Sequence, residues 1–237
     1  MNYIEVKNLY TKNHQGIDWT LKKGEIHGII GPSGEGKSYF LKVLVGLLPY
    51  ISGNILDENG NRWDYAKKRV GVQFQSNALL NNMTIGENIM MPLIVKLDMP
   101  VDVARQIARY YIKLVGLKYE VFDYFPLECS GGMQKRAALA MTMVLEPEIL
   151  FLDEPTAGLD CVILESYDNL LLHLSKNYNM TIAMVTHDLS RLAKIADRIS
   201  VLIGGKIYTG TFNELRKSDN FMVREFLESY VRTIATF

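Results

Sequence analysis

The stretch EIHGIIGPSGEGKSYFLKVLVGLL, residues 25–48, changes character twice. Residues 25–31 are a short apolar run ending in glycine and read as a strand. Residues 37–48 carry apolar side chains at 40, 41, 44, 45 and 48, the spacing of one helical face. Between them GPSGEGKS (31–38) fits G-x-x-x-x-G-K-[ST], and strand before with helix after is the context that pattern requires. Glycines let backbone N–H groups turn inward around phosphate oxygens. The helix N-terminus adds partial positive charge. Lys37 supplies a mobile cation for the β- and γ-phosphates, and the Ser38 hydroxyl can ligate Mg²⁺. A chance match in such a chain is on the order of one in a hundred from average residue usage. Gly31, Pro32, Ser33, Gly34, Glu35, Gly36, Lys37 and Ser38 are therefore candidate nucleotide-binding residues, with Lys37 also a catalytic candidate.

Outward from this loop the chain reads as alternating strands and helices. YIEVKNL (3–9), RVGVQF (69–74), TIAMVTH (181–187) and RISVLIGG (198–205) read as strands. SGNILDENGNRW (52–63) holds Asn-Gly between two short runs, a hairpin signal. EILFLDEP (148–155) is a continuous apolar run, the mark of a strand buried on both faces of a parallel sheet. Residues 101–117 place apolar groups at 104, 107, 108, 111, 112 and 115, with Gly116 as a stop. Further helices are expected at 134–146 (before Pro147), 162–176, 190–195 and 211–236. The pattern implies an α/β sheet with right-handed crossovers. The helix-rich block 84–145 looks like an insertion between strands.

In ILFLDEP (149–155) Asp153 and Glu154 sit at the carboxyl end of a buried strand, at the edge where open α/β sheets bind ligands. Asp153 is placed to hold Mg²⁺, usually through water, and Glu154 to polarise an attacking water. Solvated acids at a strand end are common, and it is the company of the phosphate loop that gives these two weight. Gln75 and His187 also follow apolar strands. Gln75 could reach Mg²⁺ or its water and His187 a γ-phosphate oxygen, although each alone is also an ordinary strand-end residue. His14, His27 and His173 have no such context and receive no role. Cys161 reads as an ordinary small residue.

The rest of the composition narrows the field. The 237 residues are 48% hydrophobic and 22% charged, and Lys plus Arg (26) balances Asp plus Glu (26). Zero net charge weighs against a sequence-independent nucleic-acid binder. Two cysteines outside any metal spacing argue against a disulfide framework and make a reducing compartment the default. The N-terminus lacks a signal-peptide pattern, and no apolar run reaches the length of a membrane span. Work at a membrane is expected to go through a partner chain.

With these residues in place, the chain resembles the nucleotide-binding subunit of an ABC transporter over nearly its whole length. GPSGEGKS looks like the family's Walker A loop and ILFLDEP its Walker B strand. Gln75 falls at the Q-loop, TAGLD (156–160) at the D-loop, His187 at the switch histidine and CSGGMQ (129–134) at the signature loop. The resemblance implies a P-loop NTPase (RecA-like) core with an antiparallel N-terminal β-subdomain. It implies one ATPase domain over 1–237, with residues 1–83 and 146–237 as core and 84–145 as helical subdomain. It implies Mg²⁺-dependent ATP hydrolysis in a head-to-tail homodimer. Ser130, Gly131 and Gly132 of one copy would face the γ-phosphate held by the other, as serine, glycine amides and a helix N-terminus make an anion site. It implies Glu154, His187 and Lys37 as catalytic residues, and Ser38, Gln75 and Asp153 as metal ligands. A multi-span permease would dock beside Gln75, placing the chain on the cytoplasmic face of the inner membrane.

Two positions depart from the family's pattern. Its adenine-stacking aromatic has Tyr10 as nearest counterpart, which reads equally as a core strand residue. Cys129 replaces the usual leucine. Within the family, residues 74–93, 130–155 and 223–229 are most similar to Mla/Mce-type ATPases, which move phospholipids or other lipids between membranes. That implies an MCE-domain lipid-binding partner. Met133, after the signature glycines, either packs on the partner subunit or faces the core. Other readings remain: an ATPase for amino acids, metals or lipoproteins, a non-transport ABC protein, and a regulatory module without turnover.

Overall fold

The computed structural model describes residues 1–235, and the side chains of all of these except Cys161 and residues 230–235. The reading of Cys161, and residue 236 of the expected C-terminal helix, lie outside the described residues. The chain packs as two compact units, residues 1–68 with 174 onward, and residues 69–173.

In the first unit, β1 (Asn2–Tyr10) pairs antiparallel with β2 (Ile17–Lys22) on one side and β4 (Ser52–Asp57) on the other. Ile17, Trp19 and Leu21 of β2 are buried while Asp18 and Lys22 are exposed, the alternation of a strand with one wet face. β3 (Ile26–Ile30) lies parallel between β7 (Thr181–Val185) and β8 (Arg198–Ile203). Every residue of β3 and β7 is buried. β9 (Lys206–Gly210) runs antiparallel beside β8. Gly204 (φ 59°) and Gly205 (φ 71°) make that turn, since a two-residue hairpin with both central residues left-handed favours glycine. The helices are α1 (Lys37–Leu44), α6 (Leu189–Ile195), α7 (Phe212–Arg216) and α8 (Phe221–Ala235).

A buried polar cluster ties β2 to β3 and β8. Trp19 Nε1 donates to His27 Nε2 (3.1 Å) and to Ser200 Oγ (3.0 Å). The ring proton of His27 then sits on Nδ1, which donates to Glu25 Oε1 at 3.0 Å. Arg198 Nε donates to Glu25 Oε2 at 3.1 Å. Burial holds the His27 imidazole below its ordinary pKa, against the pull of Glu25.

Three expectations for this unit change. α1 stops at Leu44, not residue 48, because Gly46 turns left-handed (φ 70°) and a Cβ there would lie 2.0 Å from the Tyr65 ring. Residues 211–236 do not form one helix. Thr211 and Glu214 cap α7 reciprocally, and Asn220 Oδ1 accepts from Val223 N (3.2 Å) to start α8 afresh. β2 and β9 are strands beyond those that the sequence pattern predicts.

In the second unit, β5 (Val70–Gln73) and β6 (Ile149–Asp153) run parallel, from Val70 opposite Ile149 to Gln73 opposite Leu152. All of β6 is buried, as its unbroken apolar run requires. α2 (Ile85–Leu97) begins with a reciprocal Thr84–Glu87 cap. α3 (Val101–Leu114) is followed by left-handed Gly116 (φ 75°), the expected stop. α4 (Gly131–Met143) starts three residues before the periodic run, because Ser130 caps it and both signature glycines enter its first turn. α5 (Cys161–Tyr178) carries the chain toward the first unit's second segment.

Candidate nucleotide-binding residues

In the first unit Ile29 pairs with Val185 in parallel strands, so the loop from Gly31 and the exposed His187 leave the sheet at the same carboxyl edge. Gly34 (φ 88°) and Gly36 (φ 87°) hold the left-handed conformations that turn the loop. A Cβ at Gly34 would meet nothing within 4 Å, so that side of the loop is open. Lys37 is only 5% exposed, and its Nζ donates back across the loop to Gly31 O (2.9 Å) and Pro32 O (2.8 Å). α1 begins at Gly36, which offers its first N–H groups no side-chain acceptor. A buried ammonium and uncapped amides behind an open glycine loop fit a phosphate ester. Glu35 Oε2 accepts from Gly205 N at 3.2 Å, tying the loop to the β8–β9 turn. Tyr10, the last residue of β1, is 40% exposed and so is not a core strand residue.

In the second unit the β5–β6 register sends Gln75 and the pair Asp153–Glu154 to one edge. Asp153 is 4% exposed. Glu154 has φ 49°, a left-handed value uncommon for a side-chain-bearing residue. Backbone strain of this kind clusters at functional sites. Gln75 is exposed, and its carbonyl accepts from Lys135 Nζ at 2.7 Å. Lys135 is 6% exposed. Its own carbonyl accepts from Gln73 Nε2 (3.2 Å), while Tyr167 O–H donates to Gln73 Oε1 (3.0 Å). Burial lowers the Lys135 pKa, and the carboxylates of Glu154 and Asp153 oppose that shift. Sequence reasoning missed Lys135, because its partner lies 60 positions away and no local pattern announces it.

The signature residues divide by role. Ser130 is exposed, and its Oγ caps α4 by accepting from Met133 N at 3.3 Å. Gly132 is buried, and a Cβ there would lie 2.9 Å from Ile163 Cγ2. Gly131 is exposed, with nothing nearer its absent Cβ than Leu159 at 4.0 Å. One glycine serves packing and the other has open space where a side chain would go. Met133 is half-buried and so not a core residue. Cys129 is buried, with its thiol pKa raised.

Among the described residues no group of three or more His, Cys, Asp or Glu could by itself hold a metal ion. Mg²⁺ keeps waters and takes ligands from substrate phosphates, so a single buried carboxylate such as Asp153 fits it without a cluster. Among the described residues no helix is long and apolar enough to cross a membrane.

Residues 14–157 match the family model of ABC transporters. The chain is 34% identical over 240 residues to the intermembrane phospholipid transport system ATP-binding protein MlaF of Haemophilus influenzae, covering 96% of this chain and 90% of that protein. It is 37% identical over 214 residues to the energy-coupling factor transporter ATP-binding protein EcfA2 of Acetivibrio thermocellus, covering 87% and 76%. Among solved structures it is similar to the dimeric post-hydrolysis state of the ATP-binding cassette MJ0796 bound to ADP and Pi. That match has a TM-score of 0.79 and 28% identity, covering 88% of this chain and 98% of that one.

Proposed function

Because the chain belongs to the ABC transporter family, we propose that it is the ATP-hydrolysing subunit of a lipid transporter, acting as a homodimer beneath a membrane permease. It is an ABC ATPase, and ATP is its nucleotide. The finer assignments rest on its own residues. Residues 31–38 take the phosphates, with Lys37 moving its ammonium from two loop carbonyls to phosphate oxygens. Ser38, Gln75 and Asp153 serve Mg²⁺, which when bound neutralises phosphate charge. Glu154 orients and deprotonates the attacking water, a role its strained backbone supports. His187 contacts the γ-phosphate. Ser130, Gly131 and Gly132 take the γ-phosphate of the opposite subunit in a head-to-tail pair. Tyr10 is the adenine-stacking candidate. In this reading residues 1–237 are one cassette, with 84–145 as its helical subdomain.

The observation that carries nucleotide binding is Lys37, a buried ammonium held by two carbonyls of its own loop. The test of turnover is Glu154→Gln. It is expected to abolish hydrolysis while preserving ATP-dependent dimerisation, read by size-exclusion chromatography. Wild-type turnover in that variant removes Glu154 as the base.

The lipid substrate is supported by similarity to MlaF over nearly the full length of both chains, and an MCE-domain partner and a place on the cytoplasmic face of the inner membrane are proposed together with it. The identity to EcfA2 favours a second reading, a transporter of another substrate. Purification of the complex from membranes, with its partner chains and bound lipid identified, separates the two. An MCE-domain chain with phospholipid supports the first, and a substrate-capture subunit without lipid supports the second.

A further inference from the structure

The loop between β1 and β2 contains a histidine to which the sequence assigned no role. His14 is 1% exposed and Thr11 5%. Thr11 Oγ1 accepts from the backbone N–H of Asn13 and of His14, both at 3.1 Å, and lies 2.8 Å from His14 Nδ1. A hydroxyl has two lone pairs and one proton. Both lone pairs are engaged, so the proton goes to Nδ1, which acts as acceptor. The neutral imidazole therefore carries its own proton on Nε2.

That N–H is the anomaly. Nε2 is shut off from solvent and has no hydrogen bond to any described group. Buried polar groups are nearly always paired, and a buried orphan costs about 1–3 kcal/mol. The ring is not loose. It sits edge-on to Phe40 (5.8 Å between centroids) and tilted against Tyr39 (6.1 Å), both on α1. Its Nε2 faces the phosphate loop: a Cβ built on Gly36 would lie 2.8 Å from it. The backbone of Glu35 and Gly36 raises the imidazole's proton affinity against the larger effect of burial, and only carbonyl acceptors favour the charged ring in that way. The Gly36 carbonyl already accepts from Phe40 N at 2.8 Å. That bond uses one lone pair and aims the Gly36 carbonyl along α1, so the Glu35 carbonyl is the acceptor that can turn toward the ring.

The Glu35–Gly36 peptide is planar, so its C=O and N–H point in opposite directions. A donor that takes the carbonyl from outside turns the Gly36 N–H into the loop. The outer side is further fixed by Gln15 N donating to Gly205 O (2.9 Å) and Gly205 N to Glu35 Oε2 (3.2 Å). We propose that His14 is a positioning residue for nucleotide binding: its Nε2–H takes the Glu35 carbonyl as phosphate orders the loop, and so aims the Gly36 N–H at the phosphate. The orphan donor of the free protein becomes satisfied in the bound one, which adds to affinity. This rests on the reading of residues 31–38 as the phosphate loop.

Two substitutions separate the donor from the ring. His14→Phe keeps the packing on Phe40 and Tyr39 and deletes the donor. His14→Gln deletes the ring and keeps an amide N–H near the Nε2 position. Binding of a fluorescent ATP analogue in EDTA is measured beside the melting temperature of nucleotide-free protein. The Phe variant is expected to bind about tenfold more weakly with little change in melting temperature, because the orphan Nε2–H it removes is offset by a Thr11 hydroxyl left without its Nδ1 acceptor, and the Gln variant to stay within about threefold of wild type. Wild-type affinity in His14→Phe, or equal loss in both variants, overturns the proposal. A third measurement needs no variant: ring ¹⁵N shifts of His14 are expected to show Nε2 protonated, with its proton moving downfield on ATP addition. A proton on Nδ1 overturns the proposal. Lys37→Ala is the control for the underlying reading, because its wild-type affinity would remove the phosphate loop itself rather than His14.

Discussion

The N-termini of α1 and α4 both bring glycine to the start of a helix, yet they are assembled on opposite plans. α1 starts at a left-handed glycine with no side-chain cap, and Lys37 folds back on Gly31 and Pro32, all within eight residues. α4 starts at a serine that caps it, and what holds it in place is remote in sequence. Gly132 lies against Ile163, and Lys135 reaches the carbonyl of Gln75. The first can form wherever one strand meets one helix. The second exists only when β5, α4 and α5 are packed together. A local device suits the tight capture of one ligand, whereas a device that borrows distant groups reports on how its unit is packed.

The largest expected effect breaks the local plan at its charge. Lys37→Ala should weaken ATP binding about a hundredfold with little change in melting temperature, because the two lost hydrogen bonds are offset by no longer burying an ammonium. Titration with a fluorescent analogue and a thermal melt read both. The remote plan should fail differently. Lys135→Met removes the tie to Gln75 and should lower turnover about tenfold, while affinity for ATP in EDTA stays within about twofold of wild type. Hydrogen exchange of the 74–78 backbone should rise in the same variant. Unchanged exchange there would mean that the tie to Gln75 is not what orders the segment.

The paired glycines sharpen the contrast within one helix. Gly132→Ala forces Ile163 to shift and should cost about 1–2 kcal/mol in denaturant unfolding. Gly131→Ala enters open space and should leave stability unchanged or slightly higher. Its effect is expected in turnover of the dimer. If both variants lose the same stability, the division of labour is wrong.

A smaller effect comes from the cluster under β2. His27 has its folded pKa depressed, so the fold prefers it neutral. Its contribution is complete above the unfolded value of ~6.5 and is lost as pH falls below that value. Glu25, also depressed, adds a second loss below the ordinary carboxylate range. His14 shifts in the same sense as His27. Stability is expected to decline from pH ~6.5 downward by at most about 1.4 kcal/mol per pH unit per proton taken up. His27→Gln should shallow that slope between pH 6.5 and 5, as measured by urea unfolding.

The same local-versus-remote distinction explains what could be read from the chain. Residues 25–44 announce themselves because strand, loop and helix are consecutive and each has a strong pattern. β6 is equally plain, since four buried apolar residues in a row ending in a carboxylate admit little else. β2 was legible in principle, in the alternation of Ile17, Trp19 and Leu21. β9 was not, as its side chains show no alternation and its existence depends on pairing to β8 through the Gly204–Gly205 turn. Of the site, the loop, the acidic pair, Gln75 and His187 could be named from strand ends. Lys135 and His14 could not, for their significance lies in what the fold brings against them.

The left-handed backbone of Glu154 has one more consequence. A glycine there would relieve strain and should raise unfolding free energy by about 1 kcal/mol, while removing the proposed base. Selection for robustness alone would discard the carboxylate. On the proposed role of Glu154, this is a position where stability and activity trade off.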